Sequence, residues 1–280
     1  MATRSPRIAA FIPARYGSTR FPGKPLALIA GTAMIQHVYE RVSAATKVDD
    51  VFVATDDKRI AEIVSNFGGR SVMTPSSLKS GTDRCAAAAR NIRADVIVNV
   101  QGDEPTISPN TIDAAVSVLL KSRECVISTA AVPIRDEDTL FSENSVKVVI
   151  DKNGDALYFS RTVIPFLRGI HRQDYLRRFS RENPPREFLK HLGIYVYRSS
   201  FLQKLTKLKE TPLEVAEKLE QLRVLENGYR IKVVVVKEDS ISVDIPSDLA
   251  AVEDFLSNQY EPENLPKESF VTPDGKRKGR

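Results

Sequence analysis

The run FIPARYGSTRFPGKP (residues 11–25) sets three cations, Arg15, Arg20 and Lys24, and the glycines Gly17 and Gly23 directly behind the apolar run 8–12. Glycine lets a backbone come close to a ligand, and the arginine fork matches phosphate oxygens, so a polyphosphate suits this stretch. Two well-known phosphate motifs do not fit. A Walker A loop has four residues between its glycines and then Lys-Ser/Thr. Here five residues separate Gly17 from Gly23, and Pro25 follows Lys24. No G-x-G-x-x-G fingerprint is present either.

A second chemical cluster, NVQGDEPTISP, follows the apolar run 96–100 and brings Asp103 to the same strand-end edge. A carboxylate facing a polyphosphate repels it unless a cation lies between, and Mg²⁺ takes one or two carboxylates together with phosphate oxygens. Asp103 alone reads equally as a turn residue. In SISVDIPSDL, Asp244 reads by itself as a helix N-cap at the end of a short strand. The pair, together with the cationic loop, favours a metal role for both. SGTDR (80–84) opens a helix, where Ser80 and Thr82 either cap it or hold a ribose or base, and Arg84 is available to a phosphate.

The elements that must position these groups alternate. Short β-branched runs at 8–12, 51–55 and 96–100 read as buried parallel strands. Helical patterns at 34–44, 57–67, 82–92 and 109–120 lie between and after them. That order predicts an α/β fold with a doubly wound, mostly parallel sheet, in which ligands bind beyond the carboxyl ends of the strands. The second half is mixed. Runs 146–150 and 156–159 flank an Asn-Gly hairpin signal, 192–197 and 231–236 read as strands, and helices are expected over 213–226 and 246–256.

Composition sets outer limits. The 280 residues are 42% hydrophobic and 28% charged, with a net charge of +5, ordinary for a globular chain. Cys85 and Cys125 are too few for a disulfide framework, and with three histidines they argue against zinc. The apolar run near the start is too short for a signal peptide, and no apolar stretch reaches membrane-spanning length, so the expected compartment is a reducing cytoplasm. The expectation is one domain over 1–257: a nucleotide-binding half at about 7–130, a smaller mixed region at about 131–240, and a closing segment at 241–257. Residues 258–280, polar, proline-spaced and basic at the end, read as a disordered tail.

Taken together, IPARYGSTRFPGKPL, VFVATDD, SGTDR, VIVNVQGDEP, VKVVID, ALYFSR, HLGIYVYR, LEQLRVL and VDIPSDL resemble the CMP-KDO synthetases, the 3-deoxy-manno-octulosonate cytidylyltransferase family, over about residues 7–256. The resemblance implies a nucleotidyltransferase sheet with a smaller sugar-binding and dimerisation region, a homodimer, and transfer of CMP from CTP to the anomeric hydroxyl of KDO for lipopolysaccharide assembly. It implies catalytic roles for Arg15, Lys24, Asp103 and Asp244, with Mg²⁺ on Asp103 and Asp244. Ala14, Arg15, Arg20, Lys24, Ser80, Arg84 and Gln101 would hold the nucleotide, and Arg161, His191, Tyr195, Glu220 and Gln221 the sugar acid. From the residues alone, Glu220 and Gln221 read as a solvated helix face and His191 as a core histidine.

Ile245, the long basic stretch 167–187 and the tail depart from the family pattern and leave the sugar open between KDO, its 8-amino analogue and a sialic acid. A non-catalytic nucleotide-binding regulator is a rival that two metal carboxylates argue against. A nucleic-acid partner and membrane insertion are not expected.

Overall fold

The computed structural model describes residues 5–17, 20–169 and 188–259; the tail beyond 259 and most of the basic stretch 167–187 lie outside the described residues. Strand β1 (Ile8–Ala14) is apolar and buried along nearly its whole length, as a strand covered on both faces must be. After a 3-10 turn at Lys24–Leu26 and a small hairpin, β2 (Leu28–Ile29) and β3 (Thr32–Ala33), come α1 (Met34–Ser43), β4 (Asp50–Thr55), α2 (Lys58–Asn66) and β5 (Ser71–Met73). Then follow α3 (Gly81–Ala89), β6 (Val96–Val100), α4 (Pro109–Lys121), β7 (Ile127–Pro133) and α5 (Glu137–Phe141).

The smaller region holds the hairpin β8 (Lys147–Ile150) and β9 (Ala156–Ser160), then β10 (Leu189–Arg198), α6 (Ser199–Leu205), α7 (Pro212–Glu217), α8 (Gln221–Glu226) and β11 (Ile231–Val235). Helix α9 (Asp248–Gln259) ends the described chain.

One sheet runs β11-β7-β10-β6-β1-β4-β5, with β8 pairing β10 and β9. Pairs β1–β4, β1–β6, β4–β5 and β7–β11 are parallel, while β10 is antiparallel to both β6 and β7. Apolar side chains on its two faces form two cores. One joins Ile35 and Val38 of α1, Ile60 of α2 and Ile112 of α4. The other joins Cys85 and Ala86 of α3, Phe201 of α6 and Leu222 of α8. Helices on both faces of a mostly parallel sheet make the expected α/β architecture.

Three differences from the sequence pattern have physical causes. The helix expected over 213–226 is two: Lys218 takes a left-handed conformation (φ 54°), and α8 starts afresh after Glu220. The break lets Glu220 reach across to α3 while Leu219 stays buried, so tertiary contacts outweigh propensity. Residues 240–244 belong to no strand; the Val243 amide donates to Asp103 O at 2.9 Å. The last helix begins at Asp248 rather than Pro246, because the Asp248 carboxylate accepts from the amides of Asp244 (2.7 Å) and Ile245 (3.0 Å). Thus Asp244 is no N-cap.

Candidate active site

At the carboxyl ends of β1 and β6 a cleft of about 340 Å³ is lined by Ala14, Arg15, Arg20, Lys24, Ser80, Arg84, Gln101, Asp103 and Asp244, among others. Every nucleotide-directed and metal-directed residue of the sequence reading therefore lines one cavity. Two glycines make this possible. A Cβ on Gly102 would sit 2.6 Å from the Pro13 carbonyl, so only glycine lets the QGD turn lie against the end of β1. Gly23 adopts φ +72° and donates its amide to Tyr16 O at 2.9 Å, closing the cationic loop into the 3-10 turn that carries Lys24. The Arg59 guanidinium stacks 3.4 Å from the Tyr16 ring centroid and steadies the same loop from α2.

Lys24 Nζ donates to Asp103 Oδ2 (2.6 Å) and to Val243 O (2.8 Å), joining the two acidic segments. Arg20 Nη2 donates to Asp244 Oδ1 at 3.0 Å. Arg15 is exposed and has no hydrogen-bonding partner among the described residues. Arg84 is almost fully buried, donating to Thr74 Oγ1 (2.6 Å) and Asp56 Oδ2 (3.1 Å), so it braces the cleft wall from behind.

Two carboxylates tied side by side through the Asp103–Val243 backbone bond suit a hard divalent cation that takes its remaining ligands from phosphate and water. No group of three or more metal-ligating side chains occurs among the described residues.

Ser80 caps α3 and also reaches the smaller region. Its Oγ accepts from Asp83 N (3.0 Å) as the N-cap of α3 and donates to Glu220 Oε1 (3.1 Å); Thr82 Oγ1 also bonds Glu220 Oε2. Burial raises the Glu220 carboxyl above its usual range, and these hydroxyls oppose that rise. Glu220, Gln221 and Tyr195 line a small pocket beside the main cleft.

The remaining sugar-directed residues stand apart from that pocket. His191 lines a different cavity of about 580 Å³ with Glu104 and Lys190. Its ring meets Phe159 edge-on, 5.2 Å between centroids. The Thr129 hydroxyl donates to Ile194 O (2.6 Å), so His191 Nε2 carries the proton and donates to Thr129 Oγ1 at 2.8 Å. Burial pushes its pKa down to about 3 and keeps it neutral. Arg161 lines neither cavity: its Nε donates to Glu217 O (2.8 Å) and its Nη1 to Glu143 O (2.9 Å).

Lys147 and Glu104, both buried charges, escaped the sequence reading. Lys147 is fully buried and donates to Ser142 O (2.8 Å), Ser145 O (2.6 Å) and Arg161 O (2.5 Å). Burial, then the nearby Arg161, lowers its pKa to about 8. Glu104 is buried against Gly193 and accepts from the Ser240 hydroxyl; burial, then Asp103, raises its pKa to about 7. The signal for Lys147 was a cation inside the apolar run VKVVI.

The fold and cleft define a nucleotide-handling α/β protein built on strand-end loops. The chain belongs to the cytidylyltransferase family, whose model matches residues 9–233, in its 3-deoxy-manno-octulosonate branch. It is 51% identical over 251 residues to a 3-deoxy-manno-octulosonate cytidylyltransferase of Geobacter metallireducens, covering 90% of this chain and 98% of that one. The enzyme of the same name from Desulfosudis oleivorans is 48% identical over 255 residues, with the same coverage. A CMP:2-keto-3-deoxy-manno-octonic acid synthetase solved in complex with CTP superposes with a TM-score of 0.81 at 38% identity, covering 90% of this chain and 99% of that one.

Proposed function

We propose that the protein transfers CMP from CTP to the anomeric hydroxyl of 3-deoxy-manno-octulosonate. The hydroxyl oxygen forms a new bond to the α-phosphorus, the bond from that phosphorus to the bridging oxygen breaks, pyrophosphate leaves, and the hydroxyl proton passes to solvent. The observation that carries this reading is the single cleft joining three loop cations to two carboxylates. The curated relatives and the CTP-bound neighbour support its substrates.

In this reading Arg15, Arg20 and Lys24 bind the triphosphate and hold it in line, which is most of what phosphoryl-type transfer asks of a protein. Lys24 and Arg20 exchange Asp103 and Asp244 for phosphate oxygens, leaving both carboxylates to hold Mg²⁺. When bound, that ion supplies charge neutralisation at the phosphates and acidifies the attacking hydroxyl. Ala14, Ser80 and Gln101 take the nucleoside. Tyr195, Glu220 and Gln221, joined to the cleft through the Ser80–Glu220 bond, are the side chains this reading turns toward the sugar hydroxyls, while Arg161 and His191, which the family resemblance also assigns to the sugar acid, stand outside that pocket.

The same reading includes a homodimer, for which exposed Leu157, Phe166 and Val215 give a second copy apolar surface to cover. It also includes a cytoplasmic setting, in keeping with two free, buried cysteines. No helix among the described residues is long and apolar enough to cross a membrane.

The test is pyrophosphate release with CTP and Mg²⁺, offering KDO, its 8-amino analogue and a sialic acid in turn. Release with KDO alone is expected. Release with the 8-amino sugar alone would keep the mechanism and change the substrate, and no release despite CTP binding would defeat the catalytic reading.

A further inference from the structure

Asp103 and Asp244 lie on segments far apart in the chain, and the second of these, residues 240–244, belongs to no strand. Something other than the sheet must therefore set their spacing. The QGD turn is fixed first. The Gln101 amide donates to Gly193 O at 3.1 Å, and Glu104 Oε1 fills the gap left by that glycine, where an added Cβ would stand only 2.5 Å away. From this seat the other carboxylate oxygen, Oε2, accepts from the Ser240 hydroxyl, 136 residues further along the chain. Glu104 and Ser240 are both buried.

Neighbouring bonds turn this contact into a register. The Thr106 hydroxyl accepts from the Ile241 amide at 2.7 Å, and Lys190 Nζ of β10 donates to Ser240 O at 3.1 Å. The Val243 amide donates to Asp103 O at 2.9 Å, next to the carboxylates themselves. Asp103 and Asp244 line the cleft, whereas Glu104 and Ser240 line the second cavity, so their tie stands behind the site. The ties on the cleft side are of another kind. Lys24 bridges Asp103 and Val243 O, and Arg20 holds Asp244, and these are the cations that turn to phosphate when the cleft fills. Glu104 keeps its partner, because leaving a buried acceptor unpaired is costly.

We propose that Glu104 is a positioning residue for the metal-holding pair: by gripping Ser240 from behind the cleft, it keeps Asp103 and Asp244 at one spacing after Lys24 and Arg20 have left them. This rests on the reading of the two aspartates as Mg²⁺ ligands. Fixed spacing matters for that ion, which demands near-ideal octahedral geometry. A loosened 240–244 segment would carry Asp244 away from Asp103 and leave one carboxylate to do the work of two.

The experiment measures CTP binding by calorimetry without the sugar acid, so that nothing turns over, once with Mg²⁺ and once with EDTA. The ratio of the two dissociation constants reads the metal site apart from the rest of the cleft. The proteins are wild type, Glu104→Leu, Glu104→Gln, Ser240→Ala, the Glu104→Leu/Ser240→Ala double variant and Asp103→Asn. Glu104→Leu and Ser240→Ala should each cut the Mg²⁺-dependent tightening about tenfold, the scale of one hydrogen bond to a charged group. The Mg²⁺ needed for half-maximal pyrophosphate release should rise by a like factor. The double variant should lose no more than Glu104→Leu, since both changes remove the same tie. Glu104→Gln keeps an acceptor for the hydroxyl and should stay close to wild type. A merely structural role would weaken CTP equally in EDTA, and that outcome would overturn the proposal. Unchanged tightening in both Glu104→Leu and Ser240→Ala, with Asp103→Asn abolishing it, would also overturn the proposal and leave the metal pair standing. Tightening absent from wild type, or unchanged in Asp103→Asn, would remove the metal pair and the proposal together.

Discussion

The cleft at the ends of β1 and β6 and the wall built from β8, β10 and the α7–α8 junction use the same polar residue types in opposite ways. In the cleft, Arg20–Asp244 is open to water, with the Arg20 side chain 60% exposed, and Lys24–Asp103 is half-buried at the cleft floor, with Asp103 30% exposed. Such pairs hold one another weakly and trade partners at little cost when a polyanion or a divalent cation arrives. In the wall, Lys147, Glu220, Arg161 and His191 are already committed to internal partners, and burial has shifted Lys147, Glu220 and His191 toward their neutral forms. The cleft is arranged for exchange, the wall for fixed shape. Removing a charge should therefore cost activity in the first region and stability in the second.

The largest effect expected from that contrast is in the cleft. Asp103→Asn and Asp244→Asn should each lower kcat by about a thousandfold or more, the scale of losing an electrostatic element that acts on the transition state. Melting temperatures should hardly move, since each carboxylate is partly solvated and its cation can turn to water. Steady-state pyrophosphate release and a thermal melt on the same preparations check both halves. Near-wild-type turnover in either variant, at ordinary Mg²⁺, would break the comparison at its stronger end.

The wall supplies the converse. Lys147→Met removes the donor shared by Ser142 O, Ser145 O and Arg161 O, leaving three carbonyls to find other partners. At about 1 kcal/mol for each net hydrogen bond, a loss of about 3 kcal/mol in urea unfolding is expected. Lys24→Met, which loses two such bonds, one of them to a partly solvated carboxylate, should cost a smaller amount, about 1–2 kcal/mol, while crippling turnover. Equal losses of stability in the two would erase the distinction.

The same contrast explains what the sequence made legible. Cleft chemistry sits in contiguous strand-end loops, so FIPARYGSTRFPGKP and NVQGDEP carried Arg15, Lys24 and Asp103 within short quoted stretches. The parallel strands around them read as continuous apolar runs because both faces are covered. The wall was assembled from distant segments. Glu220 meets Ser80 only because Lys218 breaks a helix that periodicity would continue, and no local pattern announces a left-handed lysine. Asp244 took its position from Asp248, four residues on, rather than from its own capping preference. Resemblance named the wall residues where their chemistry alone read as solvated or core, and Arg84, available to phosphate by type, was committed to Thr74 and Asp56 by a strand contact that the sequence does not display.

The smallest effect tests whether the buried ring of the wall, His191, is kept neutral. His191 has a folded pKa of about 3 against an ordinary value of 6.5, with burial as the cause. Between those values the unfolded chain binds the proton and the folded one does not. Stability therefore rises with pH through this window: the contribution is complete above 6.5 and is lost as the pH falls toward 3. Going from pH 7 to pH 5, the wild-type protein should lose about 2 kcal/mol more than His191→Asn, which keeps a donor for Thr129 but cannot titrate. The other two histidines are common to both proteins and cancel in the difference, so urea unfolding at the two pH values isolates this ring. Parallel pH slopes would mean that His191 gains its proton in the folded state, which would make it a freely titrating group like those of the cleft it is contrasted with.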